Sequence, residues 1–272
     1  MEYAVADAHI HLVDLLDRDP GFPERIATRS GSGRPGWTCC AASHDEGEWE
    51  RSEALRSRLP PFVSSFGIHP QWAVWKNAEL LSRLAAGGRI AAIGEAGFDF
   101  FGDRPERVRT PENEGVQRSV FEYQLELAER CGLPLLLHLR KAMDLAFFYA
   151  PRLRRLPGAI FHSFSGTERD AESLLAKGVN AYFSFGAALL NGNKRAAAAC
   201  ASIPADRLLV ETDAPWQPPR REAGGGGFCR AEDLEPIVEG MARIRGVGAQ
   251  RLAEIAQGNF RLAYGGSEAG RP

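Results

Sequence analysis

The chain is poor in lysine, which occurs only at positions 76, 141, 177 and 194; every other strongly basic residue is arginine. Beside the many alanines and glycines, that skew reads first as the mark of GC-rich coding and only second as phosphate recognition. An excess of positive charge is missing too. Lys and Arg number 33 against 35 Asp and Glu, a formal net charge of −2, so no overall field holds nucleic acid by counterion release. Bound phosphates would fall to metal ions or to a local arginine cluster. The five cysteines, at 39, 40, 131, 200 and 229, form no Cys-x-x-Cys pair and are odd in number. That argues against a disulfide framework or a thiolate zinc site, and for a reducing cytosol. No basic segment followed by an apolar stretch opens the chain, and no apolar run approaches the ~20 residues of a membrane span. The expectation is a soluble cytoplasmic protein with no membrane partner. Internal repeats and interdomain linkers are absent as well.

What is present has the proportions of a soluble globular protein, 44% hydrophobic and 25% charged. Its 272 residues suit one α/β barrel, commonly about 250 residues long. Eight short apolar runs read as strands, at 4–8, 37–42, 62–68, 90–95, 135–138, 159–162, 181–184 and 208–211. Most are separated by segments long enough for a helix. Such alternation implies right-handed crossovers and a parallel sheet. Eight units predict a single-domain TIM (β/α)8 barrel over residues 1–264, followed by a flexible tail at 265–272. The clearest helices are expected at 117–131, stopped by Gly132, and at 167–177, with acids early and Lys177 late. Segments 236–245 and 249–256 read as two short C-terminal helices. The stretches 29–36 and 220–227 are Gly-rich and basic, and are expected to be mobile.

The chemistry concentrates in histidine, found at 9, 11, 44, 69, 138 and 162. In Asp7-Ala8-His9-Ile10-His11, strand alternation puts both imidazoles on one side, within reach of one ion. All but His44 lie near the C-terminal end of a predicted strand, and in a barrel those ends converge on the mouth that holds the active site. Glu95, closing the fourth strand, and Asp213, just past the eighth, join them. The metal-ligand candidates are therefore His9, His11, Glu95, His138, His162 and Asp213. One ion takes three or four protein ligands. Six candidates point to two divalent ions (Mg²⁺, Mn²⁺ or Zn²⁺) with a carboxylate between them, against one ion with some of the six in its outer sphere. Glu95 and Asp213 are the catalytic candidates, Asp213 as the ligand that also takes the proton from the attacking water.

Around this set, Asp7 shares the alternation of the two histidines and is either an imidazole-orienting acid or a buried structural one. Glu211 either hydrogen-bonds a ligand histidine or caps the sheet. His69, in Gly67-Ile68-His69-Pro70, exceeds the metal set and is assigned to substrate contact. Arg140, two past His138, is a phosphate fork or a surface ion pair. Ser165, in the turn of residues 163–166, offers its hydroxyl and amide to a phosphate. His44, in a polar loop, reads as solvated.

These stations together resemble the TatD family of metal-dependent deoxyribonucleases, of the amidohydrolase superfamily. They are DAHIHL (7–12), GIHP (67–70), GEAGFD (94–99), QRSVFEYQLELAERCGLPLLLHLR (117–140), FHSFSG (161–166), YFSFG (182–186), LLVETDAP (208–215) and GNFRLAY (258–264), in family order along nearly the whole chain. The resemblance implies a TIM-barrel hydrolase in which His9, His11 and Asp213 bind one ion, His138 and His162 bind the other, and Glu95 bridges both. It implies metal-dependent DNA hydrolysis, commonly of single strands from the 3′ end. Nucleic acid is then the partner, DNA before RNA, with the oligomeric state left open, a monomer included. The alternatives are another bond, such as the ester of aminoacyl-tRNA, or a nuclease subunit of a multi-protein defence system. Two stretches depart from the family pattern: the Gly- and Pro-rich segment 17–36, where a clear helix is usual, and WQPPRREAGGGGFCRAEDLEP after ETDAP.

Overall fold

The apolar runs become strands that are buried on both faces, which is why they read as continuous rather than alternating. The structure is a computed structural model that describes residues 3–31, 36–220 and 227–265. Its strands are β1 (Val5–Ile10), β2 (Trp37–Ser43), β3 (Val63–Phe66), β4 (Ala92–Asp99), β5 (Leu135–Arg140), β6 (Ala159–Phe161), β7 (Ala181–Phe185) and β8 (Leu208–Val210). They lie side by side in chain order, and every pairing is parallel. The helices are α1 (Leu12–Arg18), α2 (Phe22–Gly31), α3 (Glu46–Ala54), α4 (Ala78–Ala86), α5 (Pro111–Cys131), α6 (Met143–Leu153), α7 (Glu168–Ala176), α8 (Lys194–Ser202), α9 (Leu234–Arg245) and α10 (Ala249–Ala263). This is the expected single-domain TIM barrel.

Closure between β8 and β1 comes just beyond the strand ends. The Asp213 N–H donates to the His9 carbonyl (3.0 Å) and the His11 N–H to the Ala214 carbonyl (2.9 Å). Asp7 ties the same seam. Its carboxylate accepts from the Thr212 N–H (2.9 Å), the Thr212 hydroxyl (2.6 Å) and the His9 N–H (3.2 Å). The β1–β2 register shifts between Asp7 and Ile10, so simple alternation does not carry from Asp7 to the histidines. The partners of Asp7 are two backbone N–H groups and a hydroxyl, the contacts expected of a buried structural acid. Burial pushes its carboxyl up to about 7 in spite of the three donors.

Two apolar layers hold the barrel. Ala6, Ala8, Cys40, Ala92, Leu136, Ile160, Tyr182 and Leu209 cluster together from seven strands, with Phe260, Ala263 and Tyr264 at the end of α10 packed on them. Only the lumen lets so many strands meet. A larger cluster, including Phe66, Phe98, Phe161 and Phe183, lies between strands and helices. Gly94 and Gly97, at φ 151° and 149°, let β4 close on β5; a Cβ at either would collide with Leu136 or the His138 carbonyl. The register of this pair shifts between Ile93 and Ala96, at Glu95.

Helix ends differ from the expected ones for local reasons. α5 starts at Pro111 because the Thr110 hydroxyl accepts the Asn113 N–H (3.2 Å) and Pro111 needs no N–H partner there. α10 continues to Ala263 because its last turn supplies the plug of the lumen. The Gly- and Pro-rich segment after β1 forms α1 and α2, anchored by the fully buried Leu12, Leu15, Phe22 and Ile26. Residues 32–35 and 221–226 of the two Gly-rich stretches, and 266–272 of the tail, lie outside the described residues.

Asp7→Ala removes the acceptor of three donors at the seam. Leaving such buried groups unpaired costs roughly 1–3 kcal/mol, so the urea midpoint of the chelated protein should fall accordingly. A midpoint shift within error would show that closure does not depend on Asp7.

Candidate metal centre

Glu95 stands at the C-terminal end of the barrel with one oxygen turned to each of two groups of donors. Its Oε2 lies 3.4 Å from His9 Nε2 and 3.4 Å from His11 Nε2. Asp213 Oδ1 adds contacts of 3.3 Å to His9 and 3.4 Å to His11, and the two imidazole nitrogens are 3.2 Å apart. A tetrahedral ion with bonds of ~2.05 Å has ligand–ligand edges of about 3.3 Å, and these five distances match five of its six edges. Its other oxygen, Oε1, lies 3.1 Å from His138 Nδ1 and 2.9 Å from His162 Nε2, which are 3.0 Å from each other. Edges near 3.0 Å match a face of an octahedral shell with bonds of ~2.1 Å. The residues present thus fit two divalent ions.

Hydrogen-bond partners fix which ring nitrogen is free on His138 and on His69. His138 Nε2 donates to Asp99 Oδ2 (3.1 Å), so its Nδ1 lone pair faces the donor set. His69 is the reverse case: its Nδ1 accepts the Gln71 N–H (3.1 Å), which leaves the proton on Nε2, 3.5 Å from Glu95 Oε1. His69 is therefore a donor to the site, and burial pulls it down to about 3, keeping it neutral. His44 corrects the sequence reading. β2 runs to Ser43, so His44 sits at the strand end rather than in a solvated loop, with Nε2 3.1 Å from Glu95 Oε2 and Nδ1 3.2 Å from the Gly67 carbonyl.

Burial opposes every charge here, and the charges offset it mutually. Glu95 is raised by burial but held well below the usual carboxylate range by the charges on His9 and His162. Burial likewise opposes a charged His9, yet Glu95 and Asp213 lift it well above the usual imidazole range. Glu95 does the same for His162, to about 9. Asp213 stays ionised against its burial because His11 and His9 hydrogen-bond it.

Several aiming contacts were not foreseen. Asp99 holds His138 and accepts a second bond from Gln71 Nε2 (2.7 Å), whose Oε1 in turn accepts from Arg107 (2.9 Å). The signal was there: Asp99 follows Glu95 by four on the same strand, inside GEAGFD. Gln217 Nε2 donates to Asp213 Oδ2 (2.6 Å) and Ser163 Oγ (2.7 Å). Glu211 Oε1 accepts the Ser163 N–H (2.6 Å) and stands 3.7 Å from His162 Nδ1. Arg140 makes no ion pair among the described residues; its guanidinium lies 3.6 Å from the centroid of the Phe101 ring. Ser165 is exposed on the turn after β6.

The profile of the family described as TatD related DNase matches residues 6–265. The chain belongs to that family. As a TatD-related DNase it is a hydrolase of the nuclease class, acting on ester bonds. It is 34% identical over 224 residues to a 3′-5′ ssDNA/RNA exonuclease TatD from Erwinia billingiae, covering 80% of this chain and 83% of that one. The crystal structure of YjjV, a TatD homologue from Escherichia coli K12, is similar with a TM-score of 0.76 at 25% identity, over 95% of this chain and 97% of that one. An uncharacterized amidohydrolase from Saccharomyces cerevisiae shares the fold, with a TM-score of 0.70 at 17% identity over 94% and 98%. No helix among the described residues of this TatD-related chain is long and apolar enough to cross a membrane.

Asp99→Ala frees the His138 ring. Loss of such a partner typically weakens metal binding 10–100-fold, and equilibrium dialysis with Zn²⁺ or Mn²⁺ should show a drop in that range. Unaltered affinity would leave Asp99 a structural acid only.

Proposed function

We propose that this chain is a two-metal 3′-5′ exonuclease that trims single-stranded DNA in preference to RNA, in a reducing cytoplasm. One observation carries the reading: the Glu95 carboxylate gives one oxygen to each of two donor sets. His9, His11 and Asp213 would hold one ion, His138 and His162 the other, with Glu95 between them. Two such ions supply a nucleophile from water at neutral pH and stabilise charge on the attacking and leaving oxygens of a phosphodiester. The cytoplasmic assignment is supported by the cysteines, all five of which are free.

The chain's own residues do the rest. Asp213 is ionised and anchored through Oδ2 by Gln217, so it accepts the proton of the attacking water. His69 presents its Nε2 proton to the site and donates it in a hydrogen bond to a phosphate oxygen. Arg140 and Ser165, at the rim, meet the next phosphates of the strand.

Protein stripped with a chelator should shorten neither DNA nor RNA, and should regain activity on addition of Mg²⁺, Mn²⁺ or Zn²⁺ with two ions bound per chain. End-labelled single strands should then shorten from the 3′ end, faster than duplex. A stoichiometry of one, or shortening from the 5′ end, overturns this reading. Asp213→Asn keeps the shape and removes the charge, so turnover should fall by roughly 10²–10⁴-fold; activity within tenfold of the unaltered enzyme rejects the proton-accepting role.

A further inference from the structure

Three large rings stand exposed at the mouth, on the segments that follow β3, β4 and β8. Trp72 is 56% exposed, Phe101 41% and Trp216 44%. Single exposed apolar residues are ordinary, but these three are each joined to the site. Trp72 packs against the His69 ring, centroids 5.5 Å apart. The Phe101 N–H donates to Asp99 Oδ1 (2.9 Å). The Trp216 N–H donates to the Asp213 carbonyl (2.7 Å). Trp72 and Phe101 follow the neighbouring strands β3 and β4, whereas Trp216 follows β8, on the far side of the mouth.

Two of the rings carry cations. Arg140 lies 3.6 Å and Lys141 5.1 Å from the Phe101 centroid, and Arg18 lies 4.6 Å from that of Trp216. Some other surface arginines are tied to carboxylates, as Arg25 is to Asp19 and Arg109 to Asp144. Arg18, Arg140 and Lys141 have no such ion pair among the described residues. A ring face beside a cation without its counter-charge repeats the unit of a nucleotide, one flat base and one negative phosphate.

We propose that Trp72, Phe101 and Trp216 form a base-stacking platform around the metal mouth, with Arg18, Arg140 and Lys141 as its phosphate contacts, that takes an unpaired strand. A duplex keeps its base faces within its own stack and cannot use the rings, so the platform selects single strands without reading their sequence. This rests on the nuclease reading of the site.

The test compares a thymidine oligomer with an abasic oligomer of the same length, which keeps the phosphates and lacks the bases. The metal-loaded full-length enzyme should show a KM at least tenfold lower for the thymidine strand. Trp72→Leu, Phe101→Leu and Trp216→Leu should each reduce that preference by about tenfold, while Phe101→Tyr, which keeps a ring, retains it. Efficiencies are expressed relative to bis-nitrophenyl phosphate, so that general damage to a variant cancels. Cleavage of both oligomers with equal KM, or Leu variants that keep the preference, overturns the platform and leaves the nuclease reading standing. Cleavage of neither oligomer, with the small diester still hydrolysed, overturns both.

Discussion

An ionised carboxylate buried in a protein is costly by several kcal/mol unless opposite charge or hydrogen-bond donors surround it. Glu95 meets that condition by collecting every histidine of the chain: His9, His11 and His44 at one oxygen, His69, His138 and His162 at the other, all within 3.5 Å. The barrel is what makes the collection possible. Imidazoles that are distant in sequence reach one point only because successive parallel strands all end on the same face. The arrangement in turn constrains the backbone, since Gly94 and Gly97 must bring β4 hard against β5.

A second ring of contacts aims the first. Arg107, Gln71 and Asp99 form a hydrogen-bonded line ending on His138, and Gln217 does the corresponding work for Asp213. These aiming residues sit beside the exposed rings: Gln71 precedes Trp72, Asp99 bonds to Phe101, and Trp216 precedes Gln217. Anything that presses on a ring is therefore felt one bond away by a group that orients a candidate ligand.

The strand plan and the ligand candidates were legible in the sequence because both obey rules of position. Parallel strands are apolar throughout, and site residues gather at their C-terminal ends. His44 was misread because its neighbours are polar; the rule that placed the other histidines applied equally to it, one residue beyond Ser43. Asp7 was ambiguous because a register shift is invisible to a period of two. Gln71, Arg107 and Gln217 left no signal, since an amide or a guanidinium that orients a neighbour has the same letter as one that is solvated. The helices of 17–36 were obscured by glycine and proline, although Phe22 and Ile26 lie four apart on one face.

The seam between β1 and β8 has a consequence for synthesis. Asp7 and Thr212 are separated by 205 residues, and Tyr264, whose hydroxyl bonds the Ala8 carbonyl at 2.5 Å, by 256 from its partner. Contacts of such long range form late, because the loop they close must first exist. On the ribosome, β1 leaves with His9 and His11 long before Asp213 and the plug of α10 have been made. The histidines and Glu95 are made earlier, but Asp213 and the seam that closes the barrel arrive only with the last fifth of the chain. A chain that ends before Asp213 therefore lacks one of the candidate ligands as well as the contacts that close the barrel.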